Sequence, residues 1–230
     1  MRARALALQH QPDAPPALLG DWGRERGVEL HVVRADLEPR LPEPDGFDFA
    51  VTLGSDASAG ERSLAWVARE IEWLRTADRL ALPVLGICFG AQALAVALGG
   101  GVRRRALLEI GWTTVDSSEP QLVGHGPWLA WHEDAIALPP HAREIARNAS
   151  GTQAFTAGVH VGVQFHPEAT PAVANAWADS SHGARQLGRV RLDRERLQRE
   201  GAASAAAAGA GAFRLFDAFA TRNARSAENR

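Results

Sequence analysis

The single cysteine of this chain sits in Pro83-Val-Leu-Gly-Ile-Cys-Phe-Gly-Ala-Gln92, and its neighbours frame it as a nucleophile. The apolar run Pro83 to Ile87 reads as a short buried strand, and Ala91 to Leu98 reads as a helix. So short a strand–turn–helix junction puts Cys88 on a sharp bend, and Gly86 and Gly90 remove the Cβ atoms that would clash there. The helix start adds unpaired N–H groups and a partial positive charge, which favour a thiolate. A thiol nucleophile needs a base, and the base needs a third group to hold its tautomer. Val159-His-Val-Gly-Val-Gln-Phe-His-Pro-Glu168 reads as an alternating strand ending in such a pair, His166 as base and Glu168 as its orienting carboxylate. Pro167 stiffens the link between them. Taken alone, the cysteine segment also fits ordinary strand–helix packing around an inert, buried thiol.

Holding these groups together requires a scaffold, and the pattern along the chain supplies one. Ala3 to Leu8 reads as a strand, Pro15 to Arg26 as an amphipathic helix closed by Gly27, Val28 to Val33 as the next strand, and Phe49 to Leu53 as a buried one. From Glu61 to Ala77, Leu64, Val67, Ala68, Ile71 and Leu74 recur with a helical period. This alternation predicts an α/β fold, a three-layer sandwich with a mostly parallel central sheet and sites at the carboxyl ends of its strands. After Gly99-Gly-Gly101 the elements shorten to strands at Thr113–Val115, Ala135–Leu138, Glu144–Asn148 and Gln153–Thr156. Pro171 opens a helix running to about Asp179, and Arg185 to Glu200 reads as a solvated helix face. Gly201 to Ala212 is an Ala/Gly-rich stretch that reads as a loose linker or the start of a last helix, its glycines arguing against a rigid one. Ala212 to Arg222, with Phe213, Leu215, Phe216 and Phe219, reads as a final helix packed back on the domain. The expected organisation is a catalytic domain over 1–182 and a charged, Ala/Gly-rich helical appendage over 183–230.

Composition excludes several function classes. At 230 residues the chain is long enough for one sizeable α/β domain; its 46% hydrophobic content and net charge of −2 suit neither a disordered protein nor a nucleic-acid binder. One cysteine permits no internal disulfide, which matches a reducing, cytoplasmic setting. The first ten residues are too poor in apolar residues for a signal peptide, and no run reaches membrane-spanning length.

Gly86-Ile-Cys-Phe-Gly-Ala-Gln92 and Gly162-Val-Gln-Phe-His-Pro-Glu168 resemble the two signature motifs of class I, triad-type glutamine amidotransferase domains. Further segments follow in the family's order. Phe47-Asp-Phe-Ala-Val-Thr-Leu-Gly54 resembles the strand before its oxyanion loop, and Glu109-Ile-Gly-Trp112 its glutamine-binding turn. Trp131-His-Glu-Asp134, Leu138-Pro-Pro140 and Gln153-Ala-Phe155 are similar to segments of a stand-alone branch that includes γ-glutamyl peptidases and GMP-synthase-type glutaminase domains. The resemblance covers about residues 1 to 180 and implies a flavodoxin-like sheet whose small antiparallel extension returns the His–Glu pair to the nucleophile.

The implied chemistry is hydrolysis of the γ-amide of glutamine or of a γ-glutamyl compound, through a Cys88–His166–Glu168 triad and a γ-glutamyl thioester, with no cofactor. The resemblance gives the oxyanion donors as the N–H of Phe89 and one from the Gly54-Ser55 loop, and the substrate contacts as Gln92, Gly111 and Trp112. One departure stands out. The family's usual Gly-Gly-Pro loop is here Gly54-Ser-Asp56; a turn needing positive φ at Ser55 would be strained, so a shifted or strained donor is expected. Asp56 pointing inward would oppose a thiolate, and it is read as solvated.

Other candidates carry less. His132-Glu133-Asp134 reads as a loop at the mouth of the site rather than a metal cluster, since no partner at ligand spacing accompanies it. His160 reads as a satisfied core or surface histidine, Arg103-Arg-Arg105 as a solvated turn, and the seven tryptophans as core. Neither a phosphate-binding Gly-rich loop nor an ATP pyrophosphatase loop is visible. Three readings follow: a glutaminase feeding ammonia to a partner synthase, a stand-alone γ-glutamyl peptidase, or a catalytically weak relative that binds or regulates. Nucleic-acid and membrane partners are not expected.

Overall fold

Short apolar strands separated by one-sided helices build an eight-stranded sheet covered on both faces. The computed structural model describes residues 2–61 and 63–228, with the side chains of residues 105–107 and 223–228 outside the description. Its strands are β1 (Arg4–Gln9), β2 (Glu29–Arg34), β3 (Phe49–Thr52), β4 (Val84–Ile87), β5 (Gly101–Thr113), β6 (Asp116–Ser117), β7 (Trp128–Ala137), β8 (Arg143–Asn148), β9 (Gly151–Ala157) and β10 (His160–Val163). Its helices are α1 (Ala17–Arg26), α2 (Ala65–Arg79), α3 (Phe89–Ala97), α4 (Pro171–Asp179), α5 (Ser181–Val190) and α6 (Arg194–Glu228). The sheet order is β2-β1-β3-β4-β10-β9-β8-β6. β2 through β10 in that order are parallel, and β9, β8 and β6 continue the sheet antiparallel. β5 and β7 form a separate antiparallel ribbon.

The parallel strands are buried on both faces, so their residues alternate between two cores rather than between core and solvent. Ala5, Phe49, Val51, Leu85 and Ile87 pack with Trp22 of α1 and Leu215, Phe216 and Phe219 of α6. Leu6, Leu8, Ala50 and Val84 pack on the other face with Val67, Ile71 and Leu74 of α2 and Leu94 of α3. A third cluster joins Leu129 of β7 to Ala174, Leu187 and Leu197 of α4, α5 and α6. The three-layer α/β sandwich with a mostly parallel sheet is therefore present. Among the described residues no helix is long and apolar enough to cross a membrane.

Several boundaries differ from the sequence reading. Strand β5 begins at Gly101 and ends at Thr113, where the pattern suggests a strand only from Thr113, and Ala135 to Leu138 is the tail of the longer β7. Cross-strand pairing in the ribbon extends both segments beyond what their composition signals. Residues 132–134 and 103–105 accordingly lie on strands, not in a loop and a turn. The largest correction is α6. Gly201 to Ala212 is neither a linker nor a weak start but the middle of one 35-residue helix. A Cβ on Gly201 would come within 3.0 Å of Trp112 Nε1, and one on Gly211 within 2.9 Å of Trp128 Cη2. Those glycines let the helix lie against two indoles, and that packing overrides their poor helix propensity. The charged run 185–200 is split, because Arg191 takes a left-handed φ of 54° between α5 and α6 and Leu187 and Leu197 face the core.

Candidate active site

The bend at Cys88 forms as the glycines require. Cys88 caps α3 with φ 52° and ψ −109°, a conformation costly for a residue with a Cβ. A Cβ on Gly86 would meet the Ala91 backbone at 2.7 Å, and one on Gly90 would meet Thr52 O at 2.1 Å. The Cys88 N–H donates to Val163 O at 2.8 Å and the Gly90 N–H to Leu53 O at 3.1 Å. The bend is thus clamped between β3 and β10. Sγ faces a cleft, where Trp131 O at 3.9 Å is its polar neighbour.

β10 lies beside β4 in parallel register, with Val163 opposite Ile87, and this brings the following residues to the thiol. All four residues of β10 are buried, so the alternating pattern there does not mark a half-exposed strand. His166 continues the line by bridging Leu129 of β7, donating its N–H to Leu129 O at 2.8 Å. Its Nδ1 lies 2.8 Å from Glu168 Oε1, and its ring meets Trp177 edge-on at 4.8 Å. Glu168 O accepts from Leu18 N–H of α1, which anchors the segment after Pro167. Burial by itself would push the His166 proton off. The charges of Glu168 and Cys88 and hydrogen bonds to both outweigh it and hold the imidazole well above its ordinary range. With Nδ1 engaged by the carboxylate, Nε2 is the nitrogen left for the thiol.

Gly54 packs so closely on this histidine that a Cβ there would lie 2.6 Å from His166 Cε1. Neither Gly54, Ser55 nor Asp56 has a positive φ, so the strain expected of a serine in this loop is absent. Asp56 is exposed, and its N–H donates to Gln11 Oε1 at 2.9 Å. Among the described residues, the N–H groups of Ser55 and Phe89 have no protein acceptor, so both are available as donors.

The cleft has two lobes that meet at Cys88, Ser55 and Trp131. One, of about 430 Å³, lies on the His166 side against Gln11, Asp13, Trp177 and Ser180. The other, of about 570 Å³, is bounded by Gln92, Arg104, His132, Glu133 and Asp134. Gln92 is buried, and its Nε2 donates to Asp134 O at 3.3 Å and Gln164 Oε1 at 3.2 Å. Asp134 Oδ1 accepts no hydrogen bond and meets Arg104 Nη1 only at 3.8 Å. His132 is bound to Glu109 at 2.9 Å, and Glu133 is gripped by Arg189 and Arg104 at 2.8 and 2.7 Å. Gly111 and Trp112, unlike Gln92, line neither lobe: on β5 they pair with Ala130 and Leu129, and Trp112 packs toward the α4–α6 cluster.

The sequence reading missed two parts of the site. One wall of both lobes comes from His182 and Gln186 of α5, and Gln186 accepts from Trp131 Nε1 at 2.7 Å. Gly183 allows that wall, because a Cβ there would lie 2.0 Å from Trp177 O. The other is His10, whose ring nitrogens meet Gly54 O at 3.1 Å and Glu70 Oε2 at 2.7 Å behind the loop. Its signal was present: Glu70 falls on the apolar face of α2, three residues after Val67 and four before Leu74. His160 is a satisfied core histidine, accepting from Val84 N–H at 3.2 Å and reaching Asp78 at 3.1 Å.

Known proteins match this chain in sequence and in fold. The profile of the class I glutamine amidotransferase family matches residues 18–177. The chain is 34% identical over 176 residues to a glutamine-hydrolyzing GMP synthase of Aeropyrum pernix, covering 68% of this chain and 33% of that protein. It is 33% identical over 155 residues to one subunit of the glutamine-hydrolyzing GMP synthase of Ignicoccus hospitalis, covering 63% of this chain and 80% of that one. Apart from that subunit, it therefore spans about a third or less of the GMP synthases it matches. A glutamine amidotransferase from Thermotoga maritima shares the fold with a TM-score of 0.86 at 24% identity, over 96% of this chain and 99% of that one.

Proposed function

Because this chain belongs to the class I glutamine amidotransferase family, we propose that it hydrolyses the γ-amide of glutamine or a γ-glutamyl compound through Cys88, His166 and Glu168. The observation that carries the reading is the juxtaposition of a strained helix-capping thiol with a buried, carboxylate-held histidine in one cleft. Cys88 Sγ attacks the amide carbon, and the carbonyl oxygen becomes an oxyanion held by the N–H groups of Phe89 and Ser55. His166 gives its Nε2 proton to the departing amine as the C–N bond breaks, leaving a γ-glutamyl thioester. Water then attacks that carbon with His166 as base, and the C–S bond breaks to return the thiol. Glu168 keeps the imidazole oriented throughout.

The amino-acid end of the substrate is assigned to the lobe of Gln92, Arg104 and Asp134, where an under-bonded carboxylate and a guanidinium suit an ammonium and a carboxylate. A second reading is favoured by the space on the His166 side, where the leaving group must depart. An open lobe there accommodates an amine larger than ammonia, as in a stand-alone γ-glutamyl peptidase. The first reading implies an ammonia-consuming synthase as partner, and the similarity to the Ignicoccus hospitalis protein, one subunit of a GMP synthase, supports it.

Ammonia and glutamate release by the purified chain, from glutamine and from a γ-glutamyl dipeptide, tests the proposal beside Cys88→Ala. Release that disappears in the variant is the expected result, and the preferred substrate separates the two readings. Release that persists in Cys88→Ala would overturn the thiol mechanism.

A further inference from the structure

Behind the Gly54-Ser55 loop lies a second buried histidine–carboxylate pair that the reaction does not use. His10 follows β1, Glu70 projects from α2, and both side chains are fully buried. His10 Nε2 lies 2.7 Å from Glu70 Oε2, and His10 Nδ1 lies 3.1 Å from Gly54 O. Thr52, at the end of β3, donates its hydroxyl to the other oxygen of Glu70. The imidazole is held between Trp66, stacked at 5.2 Å, and Phe89, edge-on at 4.8 Å. The pair thus ties together the ends of β1 and β3, helix α2 and the residue after the nucleophile.

Proton counting fixes one nitrogen of this histidine. A backbone carbonyl only accepts, so His10 Nδ1 carries a proton whichever way the proton lies between Nε2 and Glu70. Burial opposes a charged imidazole, but the Glu70 charge, its hydrogen bond and the Gly54 carbonyl outweigh that penalty and raise its proton affinity. The consequence falls on the 54–55 peptide. It is trans, since the sole cis bond among the described residues is Gly126–Pro127. In a trans peptide the C=O and the following N–H point in opposite directions. Holding Gly54 C=O inward on His10 turns Ser55 N–H away from the interior, and both residues border the cleft with Cys88 and His166.

We propose that His10 and Glu70 are positioning residues that lock the Gly54–Ser55 peptide with its N–H presented as an oxyanion donor. This role rests on the amide-hydrolase reading and deepens it. It explains how a loop with serine in place of glycine keeps its donor without left-handed backbone. The lock lies in the peptide's carbonyl, not in its side chains.

The test compares the full-length wild type with His10→Phe and with the double variant His10→Asn/Glu70→Gln. The double variant restores a donor near the Nδ1 position and removes the buried carboxylate. His10→Phe should lower kcat for glutamine or γ-glutamyl dipeptide hydrolysis by about 10²–10³-fold, the usual loss for one oxyanion donor, with KM little changed. Alkylation of Cys88 by iodoacetamide needs no oxyanion donor and should keep its wild-type rate. The double variant should recover most of kcat. Equal falls in kcat and alkylation, or an unchanged kcat in His10→Phe, would overturn the proposal. Wild type that alkylates but releases neither product counts against the hydrolase reading alone. The crystal structure of either variant then decides: a Gly54 carbonyl still aimed at residue 10 in His10→Phe, or turned away in the folded double variant, overturns the lock.

Discussion

His160 and His166 stand six residues apart on one segment, both buried and both beside a carboxylate, yet they are opposite kinds of histidine. His160 accepts from the Val84 N–H and meets Asp78 with its other nitrogen, so one proton satisfies both bonds. Burial dominates and pushes its proton affinity down. His166 meets a fully buried carboxylate on one side and the thiol on the other, so its environment is completed by a second proton. Asp78 is half exposed and its charge is shared with solvent; Glu168 is not. Both rings are buried, so it is the charge and number of the acceptors around each that separates how tightly these two histidines hold a proton.

Removing the chemistry on one side of this contrast should have the largest effect. Cys88→Ala is expected to lower turnover by on the order of 10⁴–10⁶-fold, with circular dichroism and melting temperature near wild type. Glu168→Gln comes next, with a loss of roughly 10²–10⁴-fold in kcat, measured across pH. Without the carboxylate His166 yields its proton at lower pH, so the alkaline limb of kcat should move down; a limb that stays in place would separate Glu168 from the base.

Gly54→Ala tests the ring's position without touching its charge. The new Cβ would press on Cε1, and the displaced imidazole should cost about 10²-fold in kcat/KM. His160→Asn should be the mildest in activity, within about threefold of wild type, or about 0.6 kcal/mol in the barrier. Its cost is in stability, roughly 1–3 kcal/mol by denaturant unfolding. Because the folded His160 holds its proton less tightly than the ordinary value of 6.5, that stabilisation is complete above pH 6.5 and fades as pH falls through the folded value. His166→Asn should run the other way, its stability difference complete below 6.5 and fading as pH rises through the elevated value.

How far each of these sites could be read in advance follows from how local its cause is. The bend at Cys88 was readable at Gly86, whose exclusion is local, the backbone of Gly90 and Ala91; Gly90 answers instead to Thr52 of β3, a contact that only the fold makes. Glu70 on the apolar face of α2 marked a buried charge, but nothing along the chain said that its partner is His10, sixty residues earlier. The strain expected at Ser55 came from its standing where the family it resembles has glycine, and the observed loop needs no positive φ. The cleft wall on α5 was hidden in a charged segment, where His182 and Gln186 look like any solvated polar residues until Trp131 is placed against them.

By itself, then, the sequence determined the α/β alternation, the bend at Cys88 and the His–Glu pair, since hydrophobic period, the glycine at 86 and a three-residue motif act over one or two turns of chain. Only the tertiary structure decided that Gly201 to Ala212 lies within one unbroken helix, because Gly201 and Gly211 answer to Trp112 and Trp128 across the interior. It alone also decided which histidines hold their proton more tightly and which less. That depends on how many acceptors the surrounding strands and helices bring within hydrogen-bond distance of each ring, a count no single segment contains.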